Sequence, residues 1–231
     1  MHRWEELKAK CEKCQRCPKL VRSRKTEEWG KPVFGYGALD SPVILIGEAP
    51  GRLGAGRTGI PFKGDKSGDF LDWCLSEIGL DREKVYITNI VKCLPKNSKG
   101  NNRKPSNYEI NQCIKYLVQE IDLIKPKRII CLGKTAYDNI IDKSSWYPTL
   151  RETEIIRIDH PSYIYNYQGG KPGTTRASQY LEELTKALTI YELKTEEKEA
   201  FNDLFRLFEK IARDDSYWED NLNLEDEKIE G

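Results

Sequence analysis

Four short apolar runs, each followed by a stretch of helical spacing, limit what this chain can fold into. The runs are Val43–Ile46, Val85–Val91, Arg128–Gly133 and Glu154–Ile158. β-branched residues bounded by turn formers read as strands. After the first run, Phe70, Leu71, Cys74, Leu75 and Ile78 recur at helical spacing over about 67–78, and Gly79 closes the stripe. After the second, Ile110, Cys113, Ile114, Leu117, Ile121 and Ile124 form a longer stripe. Ser106 and Glu109 open it as a capping box, and Pro126 stops it. Shorter helices are expected over 134–142 and 175–189, the latter with Ala177, Leu181, Leu184 and Leu188 on one side. This alternation predicts an α/β fold: a three-layer α/β/α sandwich around a central four-stranded parallel sheet.

The flanks read differently. Residues 1–24 open with an amphipathic helix containing Trp4 and Leu7, and 25–42, with Gly30, Pro32, Gly35 and Gly37, read as loop. Residues 195–213 carry another amphipathic helix, and the tail from Asp214 is acidic. The expected organisation is one domain over 1–190 and a helical extension with an acidic tail over 191–231.

The net charge of +1 conceals a split along these lines. Residues 191–231 hold 14 acidic and 6 basic side chains; the remaining 190 hold 32 basic and 23 acidic, a surplus of nine positive charges. A basic body suits a polyanionic partner. No apolar run approaches the roughly 20 residues that span a bilayer, and the N-terminus lacks a secretory pattern. A cytoplasmic protein, with no membrane partner and acting as a monomer, is the expectation.

Seven cysteines in such a chain point to metal or catalytic use rather than disulfides. Three stand as Cys11-x₂-Cys14-x₂-Cys17, a ligand spacing that leaves zinc and iron–sulfur both open. Cys74, Cys113 and Cys131 fall on apolar stripes or runs, where core filling explains them.

The first strand feeds a glycine-rich stretch, Gly47-Glu48-Ala49-Pro50-Gly51 through Pro61-Phe62-Lys63-Gly64-Asp65-Lys66-Ser67-Gly68. In open α/β sheets ligands sit beyond the carboxyl ends of strands, so this is the first place to look for chemistry. Residues 51–58 nearly spell a P-loop, but Arg57 stands where that motif needs lysine, and Pro61 follows where its helix must run.

Taken in order, Cys14-x₂-Cys17-Pro18, Gly47-Glu48-Ala49-Pro50-Gly51, Gly59-Ile60-Pro61-Phe62, Thr88-Asn89-Ile90-Val91-Lys92-Cys93, Cys113 and His160-Pro161-Ser162 resemble the uracil-DNA glycosylase superfamily, and within it the iron–sulfur-containing family 4. The resemblance covers about 11–190. One segment departs: Gly64-Asp65-Lys66-Ser67-Gly68 is similar to family 5, which is associated with a catalytic aspartate at the Asp65 position and a broader base range. Family 5 lacks the glutamate and the strand-end asparagine that this chain keeps as Glu48 and Asn89.

The resemblance implies a [4Fe–4S] cluster held by Cys14, Cys17, Cys93 and Cys113, with Cys11 as the rival for the N-terminal pair. It also implies uracil-containing DNA as partner. A glycosylase must extrude its nucleotide and read the free base edge. Phe62 offers a stacking face, and the Asn89 carboxamide supplies both a donor and an acceptor for uracil O4 and N3–H. Glu48 and Asp65 are both available to stabilise the sugar cation or orient water, and His160 to donate to uracil O2. Gly47, Ala49, Pro50 and Gly51 line the pocket, Ser162 suits a phosphate, and Tyr163 to Tyr167 suit a wedge in the vacated stack. The expected activity is hydrolytic removal of uracil from DNA, leaving an abasic site. Its rivals are a glycosylase for hypoxanthine or xanthine and a non-catalytic iron–sulfur module that binds DNA damage. The extension allows docking of a sliding clamp, although no clamp motif stands in it.

Overall fold

A computed structural model describes residues 2–25 and 30–189. The extension expected over 191–231 lies outside the described residues. The elements run, in chain order, α1 (His2–Glu12), α2 (Pro18–Lys25), β1 (Tyr36–Gly37), β2 (Val43–Gly47), α3 (Ala55–Thr58), α4 (Lys66–Glu77), β3 (Tyr86–Asn89), α5 (Asn107–Ile124), β4 (Arg128–Leu132), α6 (Lys134–Ser144), α7 (Pro148–Glu152), β5 (Glu154–Ile158), α8 (Pro161–Tyr167) and α9 (Thr175–Leu188). No helix among the described residues is long and apolar enough to cross a membrane.

The sheet order is β1-β3-β2-β4-β5. β2 through β5 pair in parallel, with Gly47 opposite Asn89 and Leu132 opposite Ile158. The four-stranded parallel sheet thus carries a fifth strand: β1 joins β3 antiparallel through two residues only. Two residues cannot show an alternation, which is why this edge reads as loop. Gly37 permits it, with φ 115 and no room for a side chain, since a Cβ there would stand 1.8 Å from the Val85 carbonyl oxygen.

Alternate residues of each central strand supply two cores, as the period of two requires. Ile44, Ile46, Ile129 and Cys131 face α1, α2, α5, α6 and α7. Val43, Leu45, Ile87 and Ile130 face α4, α8 and α9. The capping box at the start of α5 is formed, with Ser106 Oγ accepting from Glu109 N–H and the Glu109 carboxylate accepting from Ser106 N–H. The N-terminal segment is fastened to the first layer by polar contacts. Trp4 Nε1 donates to Tyr86 Oη at 3.1 Å, Tyr116 Oη to the Lys10 carbonyl at 3.3 Å, and Tyr108 Oη to the Arg16 carbonyl at 3.0 Å.

Candidate active site

Every parallel strand ends at the same edge, and each end delivers something to it. β2 ends at Gly47 and β3 at Asn89, side by side in the ladder. Beyond β4, Gly133 lies against His160, which follows β5. The loop after β2 returns Phe62 and Asp65 to this group.

The Asn89 side chain is buried, and its Oδ1 has no hydrogen-bond partner. A buried unpaired carbonyl costs on the order of 1–3 kcal/mol, and at a strand end that faces a loop such an atom is a candidate for a ligand to complete. Asn89 Oδ1 and the Phe62 ring can come this close to the end of β2 because residue 47 is glycine. A Cβ there would stand 2.5 Å from Asn89 Oδ1 and 2.6 Å from the Phe62 ring.

Phe62 is held in an unusual backbone state, φ 50, which an aromatic residue adopts at a cost of roughly 1–3 kcal/mol. Arg82, buried behind the loop, secures it. Its Nη1 donates to the Pro61 carbonyl at 2.9 Å and its Nη2 to the Phe62 carbonyl at 2.7 Å, while Asp72 balances its charge. Gly68 is needed alongside, because a Cβ there would meet the Phe62 carbonyl oxygen at 2.3 Å. No feature of the sequence marks Arg82 for this task.

His160 is the N-cap of α8 rather than part of a loop, with Pro161 at the first helical position. Its ring centroid lies 5.3 Å from that of Phe62. The Ser162 N–H donates to His160 Nδ1 at 3.1 Å, and Ser162 Oγ stands 2.8 Å from the same nitrogen. A nitrogen that accepts from a backbone N–H carries no proton, so the neutral ring holds its proton on Nε2. Burial pushes the imidazole pKa down to about 4, against the pull of Asp65. At neutral pH His160 is therefore an uncharged donor through Nε2. Ser162, expected to hold a phosphate, directs both its N–H and its hydroxyl to this ring.

The two carboxylates differ in how far they are engaged. Asp65 caps α4: its Oδ1 accepts from Gly68 N–H at 3.0 Å and from Ser67 Oγ at 2.8 Å. Its Oδ2 faces Gly51 and Gly54. For the Glu48 side chain, at the strand end, no hydrogen bond or ion pair is recorded among the described residues; only its main-chain carbonyl is bound, by Val91 N–H at 3.0 Å. The rest of the first motif is packing. Pro50 is buried, Ala49 leans on the first core, and the Gly51 carbonyl accepts from Gly56 N–H at 2.8 Å. Tyr163 and Tyr167 are exposed and lie together on α8 with ring centroids 5.9 Å apart, while Tyr165 turns inward onto Phe70.

On the first-core side of the sheet, Cys14, Cys17, Cys93 and Cys113 line one pocket with Arg16, Leu20, Val21, Val91 and Gln112. Cys11 is buried outside that lining. Burial pushes the Cys93 thiol up to about 12 and the Cys113 thiol to about 11. Lys92 N–H donates to Cys113 Sγ at 3.2 Å, and Arg24 Nη2 to the Cys14 carbonyl at 2.8 Å. No three His, Cys, Asp or Glu side chains among the described residues are gathered as a single metal ion requires.

A family profile described as the uracil DNA glycosylase superfamily matches residues 34–189. The type-4 uracil-DNA glycosylase of Pyrobaculum aerophilum is 42% identical over 120 residues, 52% of this chain and 55% of that protein. The type-4 enzyme of Thermotoga maritima is 34% identical over 169 residues, 69% of this chain and 82% of its own length. The type-5 uracil-DNA glycosylase of Pyrobaculum aerophilum is 31% identical over 151 residues, 55% of this chain and 65% of that protein. Among solved structures, wild-type SMUG2 of Pedobacter heparinus shares the fold with a TM-score of 0.53 at 17% identity, covering 65% of this chain and 76% of that one.

Proposed function

The chain belongs to the uracil DNA glycosylase superfamily, and on that premise we propose that it removes uracil from DNA by hydrolysing the N-glycosidic bond. The observation that carries this reading is the unpaired Asn89 Oδ1 at the strand end beside Gly47 and the Phe62 ring. Uracil placed there against the Phe62 ring satisfies it. The base N3–H donates to Oδ1, and the Asn89 amide donates to O4. Cytosine presents an amino group where O4 would accept, so the same carboxamide rejects it.

Bond cleavage leaves positive charge on the sugar and negative charge on the base. The His160 Nε2–H donates to uracil O2 as charge gathers there, and a neutral imidazole supplies the proton of that hydrogen bond without first losing one. Glu48, with its carboxylate unengaged, is suited to stabilise the sugar cation or orient the attacking water. Asp65, half-engaged by its cap, adds negative charge from the facing loop. Tyr163 and Tyr167 stand exposed where an extruded nucleotide leaves a gap to fill. The positive surplus of the body favours the phosphate backbone.

The four pocket cysteines fit a [4Fe–4S] cluster. A cluster is larger than a single ion, so its ligands line a pocket instead of converging on one point. An N–H donor to a ligand sulfur is the usual support for such a group. When bound, it supplies a cross-link between the N-terminal segment, the exit of β3 and α5, and it deprotonates thiols that burial otherwise keeps neutral. Iron content should survive Cys11→Ala and fall in Cys17→Ala.

The decisive assay compares single-stranded oligonucleotides holding uracil, hypoxanthine or xanthine, with wild type, Glu48→Gln and Asp65→Asn side by side. Uracil should be cleaved fastest, and each substitution should slow the step at least about tenfold, or about 1.4 kcal/mol of barrier. Tight uracil-DNA binding with no abasic product would replace this reading with that of a damage-binding module.

A further inference from the structure

Behind the Asn89 carboxamide lies a buried charge pair that the reaction itself does not use. The side chains of Lys92 and Glu120 are 1% and 0% exposed. The Lys92 ammonium donates to Thr88 Oγ1 at 2.6 Å, to the Asn89 carbonyl at 2.7 Å and to Glu120 Oε2, so all three of its protons are engaged. Glu120 Oε1 accepts from Gly35 N–H and Tyr86 Oη, each at 3.0 Å, and the Thr88 hydroxyl lies 3.2 Å from both carboxylate oxygens. Lys92 also lies over the Phe34 ring, 5.8 Å from its centroid. A well-packed apolar pair generally fills such a space at least as stably as a buried ion pair. What the charged pair adds is direction: fixed bonds to the main chain at one chosen carbonyl.

We propose that Lys92, neutralised by Glu120, is a positioning residue for base recognition, fixing the main chain at Asn89 and thereby the aim of its carboxamide. The inference rests on the reading of Asn89 as the uracil-binding group. Beyond Asn89 the chain leaves the sheet, and the Ile90 and Val91 N–H groups bind the Gly47 and Glu48 carbonyls. The ammonium reaches back three residues and holds the Asn89 carbonyl from the opposite face. The side chain of Asn89 projects toward Gly47 and Phe62 and that of Thr88 to the ion pair, so one strand end is gripped on one side and free to read on the other.

The test is a double-mutant cycle on the holoprotein, with wild-type uracil excision as the control. Lys92→Met with Glu120→Gln removes both charges together, so neither is left buried alone. Its kcat on a uracil oligonucleotide should fall at least about tenfold with KM little changed. Asn89→Ala should cost roughly a hundredfold in the wild-type background and at most about tenfold in the charge-free one, because the two act through the same group. Effects that multiply, or an unchanged kcat in the charge-free variant, overturn the proposal. If that variant does not fold, Thr88→Val removes only the hydroxyl between the charges. It should lower kcat several-fold, with Thr88→Ser restoring it, and an unchanged Thr88→Val kcat overturns the proposal equally. A wild type inactive on uracil would sink the functional reading instead.

Discussion

The two faces of β3 make opposite use of buried polar groups one residue apart. On the Thr88 side every proton of the Lys92 ammonium has an acceptor, and Glu120 is bound from four directions. On the Asn89 side an amide oxygen, equally buried, has no partner. Filled polar networks hold a backbone in one place; a rigidly held group with an open valence is ready for a ligand. The unfilled side is dependable because the filled side fixes the strand beneath it.

The largest effect should come from breaking the closed side. Lys92→Met alone leaves Glu120 buried without a counter-charge and should lose about 3–5 kcal/mol of unfolding free energy in urea titration. A loss under 1 kcal/mol would mean that water already reaches the pair. Next is the histidine on the open side. The folded pKa near 4 lies below the ordinary 6.5, so between these values the unfolded chain takes up a proton that the folded chain refuses. Stability is then full above about pH 6.5 and declines as pH falls toward 4, by up to roughly 3 kcal/mol from this group. His160→Asn should flatten that part of the profile, and parallel profiles for the two proteins would count against a half-buried neutral imidazole.

Filling the open side comes third. Gly47→Ala drives a methyl group against Asn89 Oδ1 and the Phe62 ring, and should cut uracil excision at least about tenfold with an overpacking cost of about 1–3 kcal/mol. Excision at the wild-type rate would show that the base does not enter there. The smallest effect belongs to the helix that carries Glu120. Ser106→Ala removes the cap of α5 and should cost about 1 kcal/mol in thermal unfolding without changing the rate per folded molecule.

Much of this was legible in the chain. The four apolar runs became β2 to β5, and their helical stripes became α4, α5, α6 and α9. Gly47, Asn89 and His160 each end or follow a run, so their places in the fold were readable, while their proposed roles came from the family resemblance. β1 was hidden by its two-residue length. α8 was hidden because Tyr163, Tyr165 and Tyr167 alternate as a strand would, although Pro161 marked its start. Lys92 stands in the motif Thr88-Asn89-Ile90-Val91-Lys92-Cys93, but nothing in that motif tells where its ammonium goes. Its partner did leave a trace: Glu120 sits on the row Cys113, Leu117, Glu120, Ile124, where a helix of this register faces the core. A carboxylate at an apolar phase asks for a buried cation. Arg82 left no such trace: its acceptors in the loop are main-chain carbonyls, which every residue carries, and its carboxylate partner, Asp72, is a partly exposed helix residue like many others.

The placement of β5 has one more consequence. It is the last strand in chain order among the described residues and it lies at the sheet's edge, paired on one side with β4 and half open on the other. His160 follows it directly. Asn89, proposed to read the base, ends β3 in the opposite half of the sheet, with β2 and β4 between it and β5. A chain that stopped before β5 would therefore carry Asn89 without His160, and the proposed site would lack one of its two sides.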